Sequence, residues 1–167
     1  MNKLTPSPAS ALLLHSCCAP CTTFVYQELL KENLVVYSLF YNPNIQPQEE
    51  YERRRKTMEE YAGKVGLNVI FAENDVCLQP NDCESCCRVR FTKTAQIAQE
   101  KEFEYFSTTL LISPYQNHEL LKKIGHDTAA KYGVKFFYRD FRSGFRESQK
   151  TAKAMGLYRQ KYCGCQN

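Results

Sequence analysis

Five short apolar runs, each followed by a polar stretch with helical spacing, most constrain what this chain can fold into. We predict that they form strands at 11–15, 34–41, 67–71, 103–112 and 134–141. Strand and helix signals that alternate in this way are typical of a parallel sheet with helices on its faces. A chain of 167 residues is about the size of one domain. The sequence therefore predicts a single α/β domain over residues 1–167, with a doubly wound, mostly parallel, Rossmann-like sheet.

Three segments depart from this alternation. We expect 1–10 to be flexible, 72–87 to be a cysteine-bearing insertion of loop composition, and 157–167 to be a cysteine-bearing C-terminal tail. Between the second and third strands, a charged helix is predicted to end at Gly66, because glycine commonly follows the last turn of a helix. The basic run at 53–56 lies on this helix, where acidic neighbours predict a solvent-exposed face.

What the sequence lacks argues against several common kinds of protein and site. No apolar run approaches the roughly 20 residues that span a bilayer. The first residues lack the apolar core of a secretory signal, so we expect a cytoplasmic protein with no membrane partner. Neither the G-x-G-x-x-G nor the G-x-x-x-x-G-K-S/T phosphate-binding motif is present, which argues against an NAD or ATP site.

The nine cysteines carry the most chemical information. In a reducing compartment cysteines are more often metal ligands or redox groups than structural disulfides, and an odd number argues against a complete set of bridges. Cys77 stands alone, whereas the others fall into three groups. The first cysteine group is Cys17, Cys18 and Cys21; the second is Cys83, Cys86 and Cys87; the third is Cys163 and Cys165.

The first cysteine group lies in a loop that leaves the carboxyl end of a predicted parallel strand. Because such loops meet at one edge of the sheet, where ligands bind, we predict a metal site there. Two thiolates from each of the first two groups would supply the four ligands of a [4Fe–4S] cluster. A structural zinc site is one alternative, and thioredoxin-like dithiol chemistry at Cys18 and Cys21 is another. The third group would form a strained, reactive disulfide or chelate one metal ion.

Positive charge is concentrated near the C-terminal end of the sequence. Residues 131–167 contain nine lysines and arginines against two acidic residues, together with eight aromatic residues. Basic side chains among aromatic ones suit contact with a phosphate backbone and with unpaired, stacked bases. The alternative is a solvated helix face with aromatic side chains in the core.

Six stretches of the sequence resemble one known family, the cobalamin-independent epoxyqueuosine reductases (QueH). The resemblance runs in order from about residue 11 to residue 165, through HSCCAPC, FYNPNIQPQEEYERR, the C-x-x-C at 83–86, TTLLISPYQN, YRDFRSGF and GLYRQKYCGC. It implies a Rossmann-related fold and the last step of queuosine synthesis in tRNA. In that step the epoxide oxygen of epoxyqueuosine, at the anticodon wobble position, is removed with two electrons. The implied cofactors are a [4Fe–4S] cluster and a second metal ion, iron or zinc.

The resemblance also implies roles for individual cysteines. Those expected to hold the cluster are Cys17, Cys18, Cys83 and Cys86. Cys163 and Cys165 would be a redox-active pair or ligands of the second metal, with Cys21 as a further candidate ligand. We expect Cys77 and Cys87 to take no part.

Other candidate residues lie in the basic C-terminal part of the sequence. Asp140 ends the predicted fifth strand and is a candidate catalytic carboxylate, with a salt bridge to a neighbouring arginine as the alternative. The side chains expected to contact tRNA are Arg142, Arg146, Tyr158 and Arg159. An unidentified electron donor would complete the reaction. Two other functions stay open at this point, a zinc-stabilised RNA-binding module and a thioredoxin-like dithiol reductase.

Overall fold

The computed structural model describes residues 11–165, which form a five-stranded sheet with helices packed against it. The expectation that residues 1–10 are flexible lies outside the described residues. The strands are β1 (Ala11–His15), β2 (Val35–Phe40), β3 (Asn68–Phe71), β4 (Tyr105–Thr108) and β5 (Lys135–Phe136). The α-helices are α1 (Ala19–Lys31), α2 (Gln48–Val65), α3 (Cys83–Glu100), α4 (His118–Tyr132) and α5 (Phe145–Ala154).

The sheet is parallel throughout and has the order β3-β2-β1-β4-β5, which confirms the predicted α/β fold. The central strand β1 is buried along its whole length, with Leu13 paired to Tyr37 on one side and to Phe106 on the other. A parallel strand covered on both faces reads as a continuous apolar run, as this one does. The chain order reverses between β1 and β4, and ligands bind beyond the strand ends at such a reversal.

The helices cover the sheet in two sets. Helix α1 packs against α5, and α3 packs against α4 and the central strand. Helix α2 ends where predicted, because Gly66 follows it with a φ of 72° that glycine adopts without steric cost. None of the helices within residues 11–165 combines the length and the apolar character needed to cross a membrane.

Two strands are shorter than the sequence predicts. The fourth ends at Thr108, whose hydroxyl accepts a hydrogen bond from the Leu110 amide and starts a 3₁₀ turn over Thr109–Ile112. The fifth ends at Phe136, after which the chain crosses the edge of the sheet and the Phe141 amide donates to the Leu111 carbonyl. Residues 109–112 stay buried beyond the fourth strand, whereas Phe141 is the buried residue of 137–141, so an apolar run alone does not give the end of a strand.

The second cysteine group lies on a helix, although the sequence predicted a loop through this region. Residues 72–82 contain no regular element, but α3 begins at Cys83, inside the segment 72–87 that was predicted to have loop structure. The Asp82 carboxylate caps the helix by accepting a hydrogen bond from the Ser85 amide. The expectation of a loop extending through Cys86 is therefore wrong, and the three cysteines occupy the first two turns of α3.

Candidate metal centre and active site

A cavity of about 310 Å³ opens at the carboxyl ends of the strands and is lined by all three cysteine groups. It lies where the chain order reverses, with walls formed by residues that follow β1, β2 and β4. The cysteines that line it are Cys17, Cys21, Cys83, Cys86, Cys87, Cys163 and Cys165. Stretches of chain that are distant in sequence thus bring seven thiols to one space, where the sequence predicted a metal site.

The first cysteine group is built into the junction between β1 and α1. The sulfur atoms of Cys17, Cys18 and Cys21 lie within 4.8 Å of one another, and those of Cys17 and Cys18 are 3.7 Å apart. Cys18 is the N-cap of α1, and its sulfur accepts a hydrogen bond from the Cys21 amide at 3.5 Å. The positive end of the helix dipole therefore faces these sulfurs and favours their negatively charged forms. This group could hold a metal ion.

The three thiols of this group have different affinities for protons. Hydrogen bonds from the Cys18 and Cys21 thiols lower the pKa of Cys17 well below its ordinary value. Burial, which disfavours a thiolate, is the main reason that the pKa of Cys18 rises to about 12. Cys17 is therefore the thiol of this group that most readily becomes a thiolate.

Two threonines at the end of β4 hold Cys17 and the nearby His15 in place. The Thr109 hydroxyl donates to the Cys17 sulfur at 3.1 Å and accepts from the Cys17 amide at 3.0 Å. The His15 Nε2 atom donates to the Tyr41 carbonyl, so Nδ1 is the acceptor for the Thr108 hydroxyl, each at 3.0 Å. Burial first, and then the positive charge of Arg90, lowers the pKa of His15 to about 4. This imidazole is therefore neutral at physiological pH.

The second cysteine group approaches the cavity from the first turns of α3. Cys83 is exposed, whereas Cys86 and Cys87 are buried. Burial raises the pKa of the Cys87 thiol to about 11, and the positive charge of Arg90 opposes this rise. Cys83 and Cys86 line the cavity but do not join the set of sulfurs that lie mutually within 4.8 Å.

Arg90, one turn further along α3, also lines the cavity and is only 5% exposed. Its Nε atom has no hydrogen-bond partner, and no carboxylate among residues 11–165 forms an ion pair with it. The positive charge of Arg90 lowers the pKa of His15, at the end of β1, and opposes the rise in the pKa of Cys86, on α3. A buried cation without a carboxylate partner among residues 11–165 therefore stands beside the thiols.

The third cysteine group reaches the cavity because a buried arginine of α2 holds the C-terminal tail. Arg54 is 3% exposed, and its guanidinium donates to the Cys163 carbonyl at 2.9 Å and to the Tyr162 carbonyl at 2.8 Å. The same guanidinium lies over the Tyr162 ring, 5.1 Å from its centre. Gly164 completes the docking, since its carbonyl accepts from the Gln46 amide and its φ of 127° suits only glycine.

The charge of Arg54 is neutralised by Glu50, one turn earlier on α2. The Glu50 carboxylate accepts from Arg54 Nε and from the Tyr158 hydroxyl, each at 2.9 Å. Glu50 is itself only 6% exposed. Tyr158, predicted to contact tRNA, thus also belongs to the buried network that fixes the tail.

The structure separates the remaining candidates into those near the cavity and those away from it. Cys18 is buried behind the lining, and Cys77 is exposed and outside it. Asp140 is also outside the lining and forms an ion pair with Arg142 at 2.6 Å, which lowers the pKa of Asp140 to about 2. Cys87, expected to take no part, does line the cavity. A catalytic role for Asp140 stays a prediction.

Arg146 and Arg159 are exposed, and neither forms an ion pair with a carboxylate of residues 11–165. Beside the cavity, the Tyr115 side chain is 86% exposed and makes an edge-to-face contact with Phe145. The surface around the cavity therefore offers free positive charge and an aromatic ring.

Sequence reasoning missed Arg54 and Arg90. Arg54 was read as part of an exposed basic helix face, which is wrong for this residue because its side chain is buried between α2 and the tail. A signal for its ion pair was present, since Glu50 stands four residues earlier. No comparable signal marked Arg90.

The residues around the cavity fit an iron–sulfur or other thiolate-bound metal centre. The donor set consists of cysteine sulfurs from separate segments of the chain, and thiolates are the ligands of such centres. The Nε atom of the buried Arg90 has no hydrogen-bond partner within the described part of the chain, so an anion bound in the cavity would be favourable there. A thiolate-bound metal centre would be such an anion.

Comparison with known proteins agrees with this geometry. The family model described as "Epoxyqueuosine reductase QueH" matches residues 12–167. Three relatives carrying that name are 38% identical in Thermotoga maritima, 34% in Dehalococcoides mccartyi and 35% in Streptococcus pyogenes serotype M1. The matches cover 92%, 94% and 93% of this chain and 88%, 91% and 69% of the respective relatives. This chain belongs to the epoxyqueuosine reductase QueH family.

Proposed function

We propose that this protein is an epoxyqueuosine reductase that converts epoxyqueuosine to queuosine at the wobble position of tRNA. The observation that carries the proposal is the convergence of three cysteine groups on one cavity, in a chain of this family. A site rich in thiols suits a reduction. We place the reaction in the cytoplasm, where thiols are kept reduced and tRNA is available.

For the cofactors, we propose two thiolate-bound centres in the cavity. Cys17, Cys18, Cys83 and Cys86 would hold a [4Fe–4S] cluster, and Cys21 with the third cysteine group would hold a second metal, iron or zinc. The low pKa of Cys17 and the positive end of α1 support metal binding at the first group. When bound, a cluster would supply electrons one at a time from an external electron donor.

The third cysteine group has an alternative role as a redox-active pair, in which its two thiols are not metal ligands and deliver both electrons to the substrate. In the balanced reaction, the two thiols lose two protons and two electrons and become a disulfide. The epoxide loses both carbon–oxygen bonds, gains a carbon–carbon double bond, and its oxygen leaves as water. Cys163 Sγ and Cys165 Sγ are thus the proton and electron sources, and Arg54 keeps them at the cavity. The disulfide then needs two electrons to return to the dithiol.

We propose that tRNA binds across the surface beside the cavity. The Tyr115 ring would stack on a base of the anticodon loop, where bases are already unpaired. Arg142, Arg146, Arg159 and Tyr158 are the side chains proposed to contact the RNA. Arg142 is partly neutralised by Asp140, so we expect Arg146 and Arg159 to contribute more to phosphate binding.

The redox role of the tail is tested by Cys163→Ser in anaerobically purified protein, with Cys77→Ser as the control outside the cavity. We expect Cys163→Ser to abolish formation of queuosine in tRNA while iron, sulfide and absorbance near 400 nm persist. Full activity in Cys163→Ser would contradict the dithiol step. A colourless wild-type protein containing zinc would favour the zinc-stabilised RNA-binding module. A colourless, metal-free protein would favour the thioredoxin-like reductase.

The RNA surface is tested by comparing Arg146→Ala with Arg142→Ala. Since Arg146 has the freer charge, we expect its loss to weaken tRNA binding more and to flatten the dependence of affinity on salt concentration. Fluorescence anisotropy with labelled tRNA at several salt concentrations measures both effects. Equal affinities of the wild type and both variants at every salt concentration would place the RNA elsewhere.

A further inference from the structure

Arg90 is a buried charged group of the cavity lining for which residues 11–165 supply no carboxylate partner. Arg54, the other buried arginine of the lining, has Glu50 and two carbonyls as partners. Arg90 is buried to a similar degree, yet no carboxylate of residues 11–165 pairs with it and its Nε atom has no acceptor. Burying a charge without a partner is unfavourable, and some side chains avoid it by becoming neutral. An arginine keeps its charge at any physiological pH, so it cannot do so.

A buried charge without a counter-charge strongly destabilises a fold, and an anion bound next to it removes this penalty. The groups near Arg90 come from both sides of the cavity, namely His15 at the end of β1 and the cysteines of α3. A centre held between the first and second cysteine groups would therefore lie beside this guanidinium. Cysteine thiolates make such a centre anionic, which supplies the missing counter-charge.

We propose that Arg90 is a positioning residue that holds the anionic iron–sulfur centre and raises its reduction potential; this rests on the proposed function. Reduction by one electron adds a negative charge to a centre that is already negative. A fixed cation in a low-dielectric cavity stabilises the more negative state, and it therefore favours the reduced form. No thiol has to change its protonation for this effect.

The test is a redox titration of the holoprotein with dithionite, followed by electron paramagnetic resonance of the reduced centre. Dithionite supplies the electron and is oxidised to sulfite. For Arg90→Met we expect the ratio of reduced to oxidised centre at a fixed potential to fall at least tenfold, which is 59 mV for a one-electron couple. Arg90→Lys keeps the charge and should shift the potential much less.

Arg88→Met is the matched control, because Arg88 lies on the same helix but is exposed and paired with Glu84. We expect its potential to equal that of the wild type. A wild-type potential in Arg90→Met would overturn the inference, as would a raised KM for tRNA without a change in potential, which would assign Arg90 to the substrate.

Loss of iron in Arg90→Met with normal loading of Arg90→Lys would support the need for a positive charge. Loss of iron in both variants would overturn the proposed electrostatic role of Arg90 and would indicate that its side chain is needed for packing. A wild-type protein without iron and sulfide is a different result, because it removes the proposed cofactor and with it this inference.

Discussion

The first and third cysteine groups reach the same cavity by different structural routes. The first is part of the β1–α1 junction, so its sulfurs are placed by the central strand and by the first turn of a helix. The third belongs to a tail with no regular structure, which is placed by side chains of α2. Backbone topology fixes one group, whereas a buried ion pair fixes the other.

This difference teaches which mutations each group tolerates. The first group depends on elements that the whole domain needs, so its geometry is lost only when the fold is disturbed. The third depends on Arg54 and Glu50, which lie far from it in sequence. The tail can therefore be released while the rest of the site stays intact, and its position can be tested separately.

The largest expected effect is that of Arg54→Met on the tail. The substitution removes two hydrogen bonds to tail carbonyls and the buried cation of Glu50, which keeps only a 3.8 Å contact with the exposed Arg53. Breaking a buried pair in this way costs about 3–5 kcal/mol in the free energy of unfolding. Urea unfolding measures the loss, and the alkylation rate of Cys163 measures release of the tail.

Two further variants separate these effects. Arg55→Met removes a partly exposed ion pair with Glu59 from the same helix and should cost less than about 1 kcal/mol. The double variant Glu50→Gln/Arg54→Met has no unpaired charge, so it should recover stability but keep the fast alkylation. Unchanged alkylation in every Arg54 variant would show that the tail is held by something else.

A smaller effect is expected from pH through His15, which lies next to the first cysteine group. His15 has a folded-state pKa of about 4 against 6.5 when unfolded, so the unfolded chain binds more protons between these values. The free energy of unfolding should therefore fall as pH drops from 6.5 towards 4, by at most about 1.4 kcal/mol per pH unit. Unfolding of the metal-free, reduced protein in urea at several pH values measures this slope.

The comparison of His15→Gln with His126→Gln isolates this contribution from that of the acidic residues. His126, an exposed histidine of α4, serves as the control for the loss of an imidazole. His15→Gln should lose the part of the slope that lies between pH 6.5 and pH 4. Identical pH profiles for His15→Gln and the wild type would mean that another group causes the difference in bound protons between the folded and the unfolded protein.

Sequence patterns predicted the parts of the molecule that depend on local or periodic signals. The strand at 11–15 and the helix end at Gly66 are confirmed to the residue, because burial on both faces and a left-handed glycine leave clear patterns. The fourth strand was extended through Ile112, since an apolar run has the same composition in a buried 3₁₀ turn as in a buried strand.

The supporting residues of the site were harder to predict because their roles arise only in three dimensions. A basic run on a helix usually faces solvent, and nothing in the run at 53–56 reveals that a tail from residues 162–164 covers one of its arginines. Likewise, only the folded cavity reveals that Arg90 has no counter-charge. The cysteines were predictable as a set, whereas which of them face the cavity was not.

The capping role of Cys18 means that one atom serves two parts of the molecule. Its sulfur both belongs to the first cysteine group and accepts the Cys21 amide at the start of α1. A substitution that removes this sulfur takes away a possible ligand and also a cap, whose loss typically costs about 1 kcal/mol. Helix stability and the proposed metal binding thus both depend on a single side chain, so its substitution should impair both.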